Sequence, residues 1–180
     1  MNESAQPTQT RSPHFQALCA AIADLGLDFH PHPTGNFVVA GVRMTSVSPV
    51  FAFSVSEHDP VLKLKVILPL VVPEERRAAV GEFLHALNCR MEFGCFRIDP
   101  DDGELQFGIT HDFGEAAGFP GDTLKRMTLI AQTTVDGFFP AIAKVIYAGM
   151  NPVQALEQGE AHYFRLRGCD GPGDDPGTSE

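Results

Sequence analysis

Two histidines, His30 and His32, have the spacing in this sequence that comes closest to a metal-binding pair. In an extended segment, residues two positions apart point to the same side of the chain, so both imidazoles could reach one ion. A transition metal needs a third and usually a fourth ligand, and no spacing links this pair to the other plausible donors, His58, His111 and Asp112. We therefore expect a solvated loop without metal or cofactor, and keep a small-ligand or metal sensor at this loop as the alternative function.

The other groups capable of chemistry do not form a recognised arrangement. Asp99, Asp101 and Asp102 resemble the start of a calcium loop, but the next glycine, Gly103, comes too early and no glutamate follows at the required distance. The glycines match neither a phosphate-binding loop nor a dinucleotide fingerprint, and no serine lies in G-x-S-x-G. Cys89 falls at a predicted helix end, where a capping or packing role is expected. We predict no catalytic residues and a protein that is not an enzyme.

The composition indicates a folded, acidic protein. The chain of 180 residues is 43% hydrophobic and contains 14 phenylalanines, which is enough apolar material for one core. Its 13 lysines and arginines against 23 aspartates and glutamates give a formal charge of -10, which repels a phosphate backbone. The first residues lack a signal-peptide pattern, and the longest apolar stretch, residues 66–72, is too short to cross a bilayer. We expect a cytoplasmic protein that binds neither nucleic acid nor membrane.

The first part of the chain predicts a helix followed by strands. Ser12 and Pro13 form an N-cap and first-turn pair, after which apolar residues recur at helical spacing. A proline-rich connection over residues 29–36 follows. Valine, phenylalanine and alternating apolar residues then predict three strands, at residues 36–44, 50–56 and 62–68. Cys19 and Cys95 fall on predicted apolar faces, so we expect both thiols to be part of the core.

The middle of the chain predicts a helix and a hairpin. Pro73 begins a helix with an apolar stripe that ends near Asn88. Residues 91–98 and 104–109 have β-type patterns and are joined by Asp-Pro-Asp-Asp-Gly, which supplies turn conformations. Two registers are open for the first strand of this hairpin: either Met91, Phe93 and Cys95 face the core, or Phe96 and Ile98 do.

Residues 122–148 predict the longest element, a helix with apolar residues at helical spacing. Pro140 removes one backbone donor inside it, so we expect a kink or a split near Gly137. Asn151 and Pro152 then begin a short helix. The expected core anchors of the unit from residue 61 to residue 149 are Phe83, Phe93, Phe107 and Phe138.

The order of helix, three strands, helix, hairpin and long helix predicts an α+β fold with an antiparallel sheet. Residues 1–11 are polar and residues 159–180 are acidic and rich in glycine and proline, so we expect tails on a single domain over residues 12–158. Regular alternation of strands and helices, as in a Rossmann fold, is absent from the sequence.

The stretch from residue 72 to residue 156 resembles the YbjN family, described as bacterial sensory-transduction regulators, whose fold is similar to that of type III secretion chaperones. The residues that carry the resemblance are Val72-Pro73-Glu74, Phe83-Leu84-His85-Ala86-Leu87-Asn88, Met91-Glu92-Phe93-Gly94-Cys95-Phe96, Asp102-Gly103-Glu104-Leu105, Phe138-Phe139-Pro140, Gly149-Met150-Asn151-Pro152 and Ala155. The N-terminal part, with its His30-Pro31-His32 segment, matches less clearly.

This resemblance implies a homodimeric, non-enzymatic module that binds protein segments, and it supplies no catalytic residues. We therefore expect a chaperone-like or regulatory protein that binds a protein partner through a surface groove or a sheet edge. The sequence does not identify the binding surface.

Overall fold

A computed structural model describes residues 12–33, 35–56, 60–114 and 119–168. Within these residues the order of elements confirms the predicted α+β class. The elements are α1 (Pro13–Asp24), β1 (Phe29–Pro31), β2 (Phe37–Gly41), β3 (Val50–Val55), β4 (Val61–Val71), a 3-10 turn (Glu74–Arg76), α2 (Arg77–Asn88), β5 (Cys95–Ile98), β6 (Glu104–Asp112), α3 (Gly121–Tyr147) and α4 (Pro152–Leu166).

The strands form one antiparallel sheet of six strands, in the order β1-β2-β3-β4-β6-β5. The first four strands pair in chain order, and α2 lies in the sequence between β4 and the β5–β6 hairpin. The hairpin folds back so that β6 pairs with β4. This arrangement leaves two short strands, β1 and β5, at the edges of the sheet.

One face of the sheet carries the core. Alternate residues of β3 and β4 face inward, so that Phe53 pairs with Leu64 on the buried face while Ala52 pairs with Lys65 on the other face. Phenylalanines dominate the largest fully buried side chains, and the inward face packs with α1 and α3 into one apolar cluster. Of the predicted core anchors, Phe83, Phe107 and Phe138 are buried. Cys19 packs against the same cluster.

The hairpin corrects two predictions. Pairing of β5 begins only at Cys95, because the preceding Gly94 has φ 75° and interrupts the extended backbone. Phe96 then faces the core opposite Phe107, with ring centroids 4.9 Å apart, while Cys95 is exposed and not buried as predicted. Phe93 lies before the strand and is 50% exposed, so its prediction as a core anchor is wrong.

The helix α3 is continuous across Pro140, so the predicted split is wrong. A proline inside a helix costs about 3 kcal/mol, and here the flanking residues Phe138 and Ala141 are buried against α4, which holds the helix together on both sides. By length and composition α3 is the one helix among the described residues that could span a membrane. The buried share of its most apolar window is 56%, and the core helix of a globular protein passes the same test.

Two segments differ from the sequence-based description. Part of the segment predicted as a proline-rich connection is strand β1, which pairs with β2. Helix α4 continues to Leu166, past the domain end that we placed at residue 158, and Gly159 is buried against α3. The predicted tail over residues 1–11 lies outside the described residues, as do residues 169–180.

Candidate protein-binding groove

The two histidines with metal-like spacing lie at the β1 edge of the sheet. His30 is exposed on β1, and His32 follows the strand. The Nδ1 of His32 accepts a hydrogen bond from the backbone N–H of Gly35 at 2.9 Å, and its ring stacks on Phe37 at 4.3 Å. One His32 nitrogen is therefore committed to the loop. Among the residues that the structure describes, no three His, Cys, Asp or Glu side chains lie close enough to hold a metal ion, and His58 lies outside them.

The aspartates of the hairpin turn and Cys89 contact neighbouring groups of the protein itself. Asp99 accepts a hydrogen bond from the N–H of Asp101 at 3.0 Å, and Asp102 accepts one from the N–H of Glu104 at 2.8 Å. Both carboxylates thus stabilise the turn of the hairpin. Cys89 Sγ lies 4.0 Å from His85 Nε2 at the exposed end of α2, a separation at the outer limit for a sulfur contact.

A groove of about 750 Å³ lies where the end of α2 and the loop after it meet α3 and α4; we call it the helix groove. Its apolar lining includes Met91, Phe93, Leu129, Ile130, Phe164 and Leu166. Among the described residues, seven large hydrophobic side chains are exposed, and three of them line this groove: Phe93 is 50% exposed, Leu129 62% and Leu166 40%. Clustered exposed apolar residues are typical of interaction surfaces, whereas single ones are ordinary, so the helix groove is the candidate site.

The floor of the helix groove is set by close packing between α3 and α4. The rings of Phe138 and Tyr163 stack at 5.2 Å with an angle of 24°. Two glycines allow this approach, because a Cβ on Gly137 would lie 2.9 Å from Tyr163 and a Cβ on Gly159 would lie 2.8 Å from Phe138. Phe138 contacts Tyr163, and Lys144, later in α3, contacts Gln158, which is earlier in α4. The two helices are therefore antiparallel.

Arginines lie along the rim of the helix groove. Arg90 donates a hydrogen bond to Glu160 at 2.6 Å, and this contact raises the pKa of Arg90 above its ordinary value. Arg126 lies over the Phe93 ring at 5.9 Å, and Arg167 lies over the Tyr163 ring at 5.6 Å. The lining thus combines apolar walls with guanidinium groups held on aromatic rings.

The sheet edges are less suited to binding. The side chain of Asn88 donates to the carbonyl of Phe96 at 2.9 Å and accepts from its N–H at 2.9 Å, so the outward backbone groups of Phe96 are already bonded. Asn88 therefore takes the place of a neighbouring strand along the short β5. At the opposite edge, β1 contains Pro31, which has no N–H to donate to an added strand.

Sequence reasoning missed the helix groove for two reasons. Leu129 and Ile130 fall outside the apolar stripe that predicts the buried face of α3, and exposed apolar residues beside such a stripe are the signal that could have been used. Tyr163, Phe164 and Leu166 lie in the segment that the composition assigned to a tail.

Comparison with known proteins assigns the chain to one family. The family model for YbjN, described as "putative bacterial sensory transduction regulator", matches residues 14–144. Comparison with curated proteins finds no significant relative. A crystal structure of YbjN from E. coli, described as a putative transcription regulator, is similar with a TM-score of 0.49 and 12% identity, covering 65% of this chain and 82% of that one. At that score the structural likeness supports no functional conclusion. The family match spans most of the sequence, and the chain therefore belongs to the YbjN family.

Proposed function

We propose that this protein is a non-enzymatic regulatory module of the cytoplasm that binds a segment of a partner protein in the helix groove. The observation that carries the proposal is the cluster of exposed apolar side chains at Phe93, Leu129 and Leu166 around one concave site. Burying such side chains contributes about 25 cal/mol per Å² of apolar surface, which makes this site the favoured one for a partner to cover. The family description of a regulator is compatible with this role.

The cap that Asn88 places on the β5 edge supports binding in the helix groove over strand addition at that edge. A partner strand at β5 would have to displace Asn88 from both of its hydrogen bonds to Phe96, whereas the helix groove already exposes its apolar lining. The charge of -10 supports a protein partner over nucleic acid. A homodimer, as the family resemblance implies, remains part of this proposal and is measured by light scattering at micromolar concentration.

The test is partner capture by three versions of the full chain, purified with a tag from the cell that makes it. We expect at least one protein to co-purify with the unchanged chain. Its recovered amount should fall at least tenfold with Leu129→Glu, because the partner would have to bury a carboxylate at this position. The matched control is Val153→Glu, since Val153 is 61% exposed and lies on α4 outside the groove lining. Equal recovery of the same proteins with all three versions would refute the proposal.

A further inference from the structure

We propose that the occupant of the helix groove is an acidic amphipathic helix of the partner protein. This inference rests on the proposed function and adds the conformation and charge of the bound segment.

The walls favour a helix over an extended segment. An extended peptide needs unpaired backbone groups to bond with, but α3 and α4 use their own backbone groups internally along the groove. The nearest strand is β5, where Asn88 already occupies the outward groups of Phe96. A helical segment satisfies its own backbone, so it can enter an apolar groove without leaving donors or acceptors unbonded.

The spacing along α3 fits the length of a short helix. Arg126, Leu129, Ile130 and Thr133 line the groove at helical intervals of three and four residues. At 1.5 Å per residue these positions span roughly 10 Å, and α4 lines the other side over a similar length. A partner helix of two to three turns would present apolar residues at positions i, i+3 or i+4, and i+7 to this surface.

The rim favours acidic flanks. The charged lining residues are Arg90, Arg126, Arg167, Glu92 and Glu160. Arg90 is paired with Glu160, and among the described residues Arg126 has no carboxylate within ion-pair distance. Glu157 also lies close enough to act on the charge of Arg90, so Arg126 is the guanidinium of the rim that an acidic partner can pair with. A carboxylate beside the apolar stripe of a bound helix would reach Arg126, while a lysine there would be repelled.

The experiment is selection of peptides from a displayed library of helix-forming sequences with randomised faces. The full chain is the target and the Leu129→Glu variant is the counter-target. We expect enriched peptides to carry apolar residues at i, i+3 or i+4, and i+7, and a net negative charge. Binding of an enriched peptide, measured by fluorescence anisotropy, should weaken roughly fivefold to tenfold with Arg126→Glu, which is about 1.0 to 1.4 kcal/mol. Val153→Glu should leave it unchanged.

Each other outcome overturns the inference. Enrichment of basic or proline-rich peptides, or of peptides that bind Leu129→Glu equally well, would show a different occupant. No enrichment, together with a dimer that Leu129→Glu converts to monomer, would identify a second copy of this chain as the occupant. If Leu129→Glu loses its cellular partner while no acidic helix is enriched, the proposed function stands and only the inference fails. If neither partner nor peptide is captured, both fail.

Discussion

Two neighbouring regions differ in what they expose: the β5 edge of the sheet has its backbone groups bonded at Phe96, and the helix groove beside it leaves apolar side chains in solvent. Asn88 at the end of α2 bonds both outward backbone groups of Phe96, which satisfies the edge. Phe93, which lies between Asn88 and Phe96 in the sequence, lines the groove and is 50% exposed. The polar backbone groups of Phe96 are thus satisfied within the protein, as an edge that must not pair with another strand requires, whereas apolar side chains beside it remain exposed.

The largest expected effect separates two phenylalanines of this segment. Phe96→Ala should lower the free energy of unfolding by about 3 to 5 kcal/mol, because Phe96 is 2% exposed and packs on Phe107. Phe93→Ala should cost less than about 1 kcal/mol, because half of that ring already meets solvent. Urea unfolding of both variants provides the measurement. Similar losses for the two variants would remove the distinction between core and binding surface.

Packing of the groove floor gives the next largest effect. Gly159→Val should lower the free energy of unfolding by about 2 to 3 kcal/mol, because the new side chain would meet Phe138 at 2.8 Å and Ala141 at 3.1 Å. The matched control is Gly81→Val in α2, where a Cβ would meet nothing within 4 Å and little change is expected. Thermal or urea unfolding distinguishes the two variants, and equal losses would show that close approach of α3 to α4 is unimportant.

Opening the closed edge should have a smaller effect on stability and a distinct one on association. Asn88→Ala should cost about 2 kcal/mol, since two hydrogen bonds to Phe96 are lost, and should produce concentration-dependent association through the exposed β5 edge. Asn151→Ala is the control, because Asn151 caps α4 through the N–H of Val153 and touches no sheet edge. It should cost about 1 kcal/mol without association. Light scattering that shows no difference between the variants would contradict the edge-capping role.

The smallest effect is expected at the exposed ion pair of the rim. Arg90→Gln should leave the unfolding midpoint within experimental scatter, because the Arg90 side chain is 56% exposed and its pair with Glu160 is screened by solvent. The hydrogen bond to Glu160 raises the pKa of Arg90, an always charged group, so no pH dependence near neutrality is expected from it. A clear loss of stability in urea unfolding would show that this pair closes one wall of the groove.

The fold was largely predictable because its signals are local. Alternation of lysine with apolar residues in β4 and the turn residues before Gly103 predict strands and a hairpin without tertiary information. The exposure of Phe93 was not predictable in this way, because it depends on where pairing of β5 begins, and the conformation of Gly94 decides that. The continuity of α3 across Pro140 likewise depends on packing against α4.

The site could be predicted much less completely than the fold. Leu129 on α3 and Leu166 on α4 line the same groove only because the two helices pack antiparallel. No spacing in the sequence predicts that packing. The histidine pair shows that spacing alone can also suggest too much: His30 and His32 have the spacing of a metal pair, but the loop engages His32 Nδ1 with Gly35. Spacing identifies ligands only when tertiary structure brings further ligands to the same point.

Photo-cross-linking from the helix groove, compared with photo-cross-linking from the sheet edge, shows directly which of the two surfaces binds the partner. A benzophenone amino acid is placed at Leu129 in one version of the full chain and at Arg97 on β5 in another, and both are irradiated in the cell that makes the protein. We expect a protein adduct from position 129 that is absent from position 97 and is lost when Phe93→Glu is added. An adduct from position 97 alone would show that the partner binds at the sheet edge and not in the helix groove.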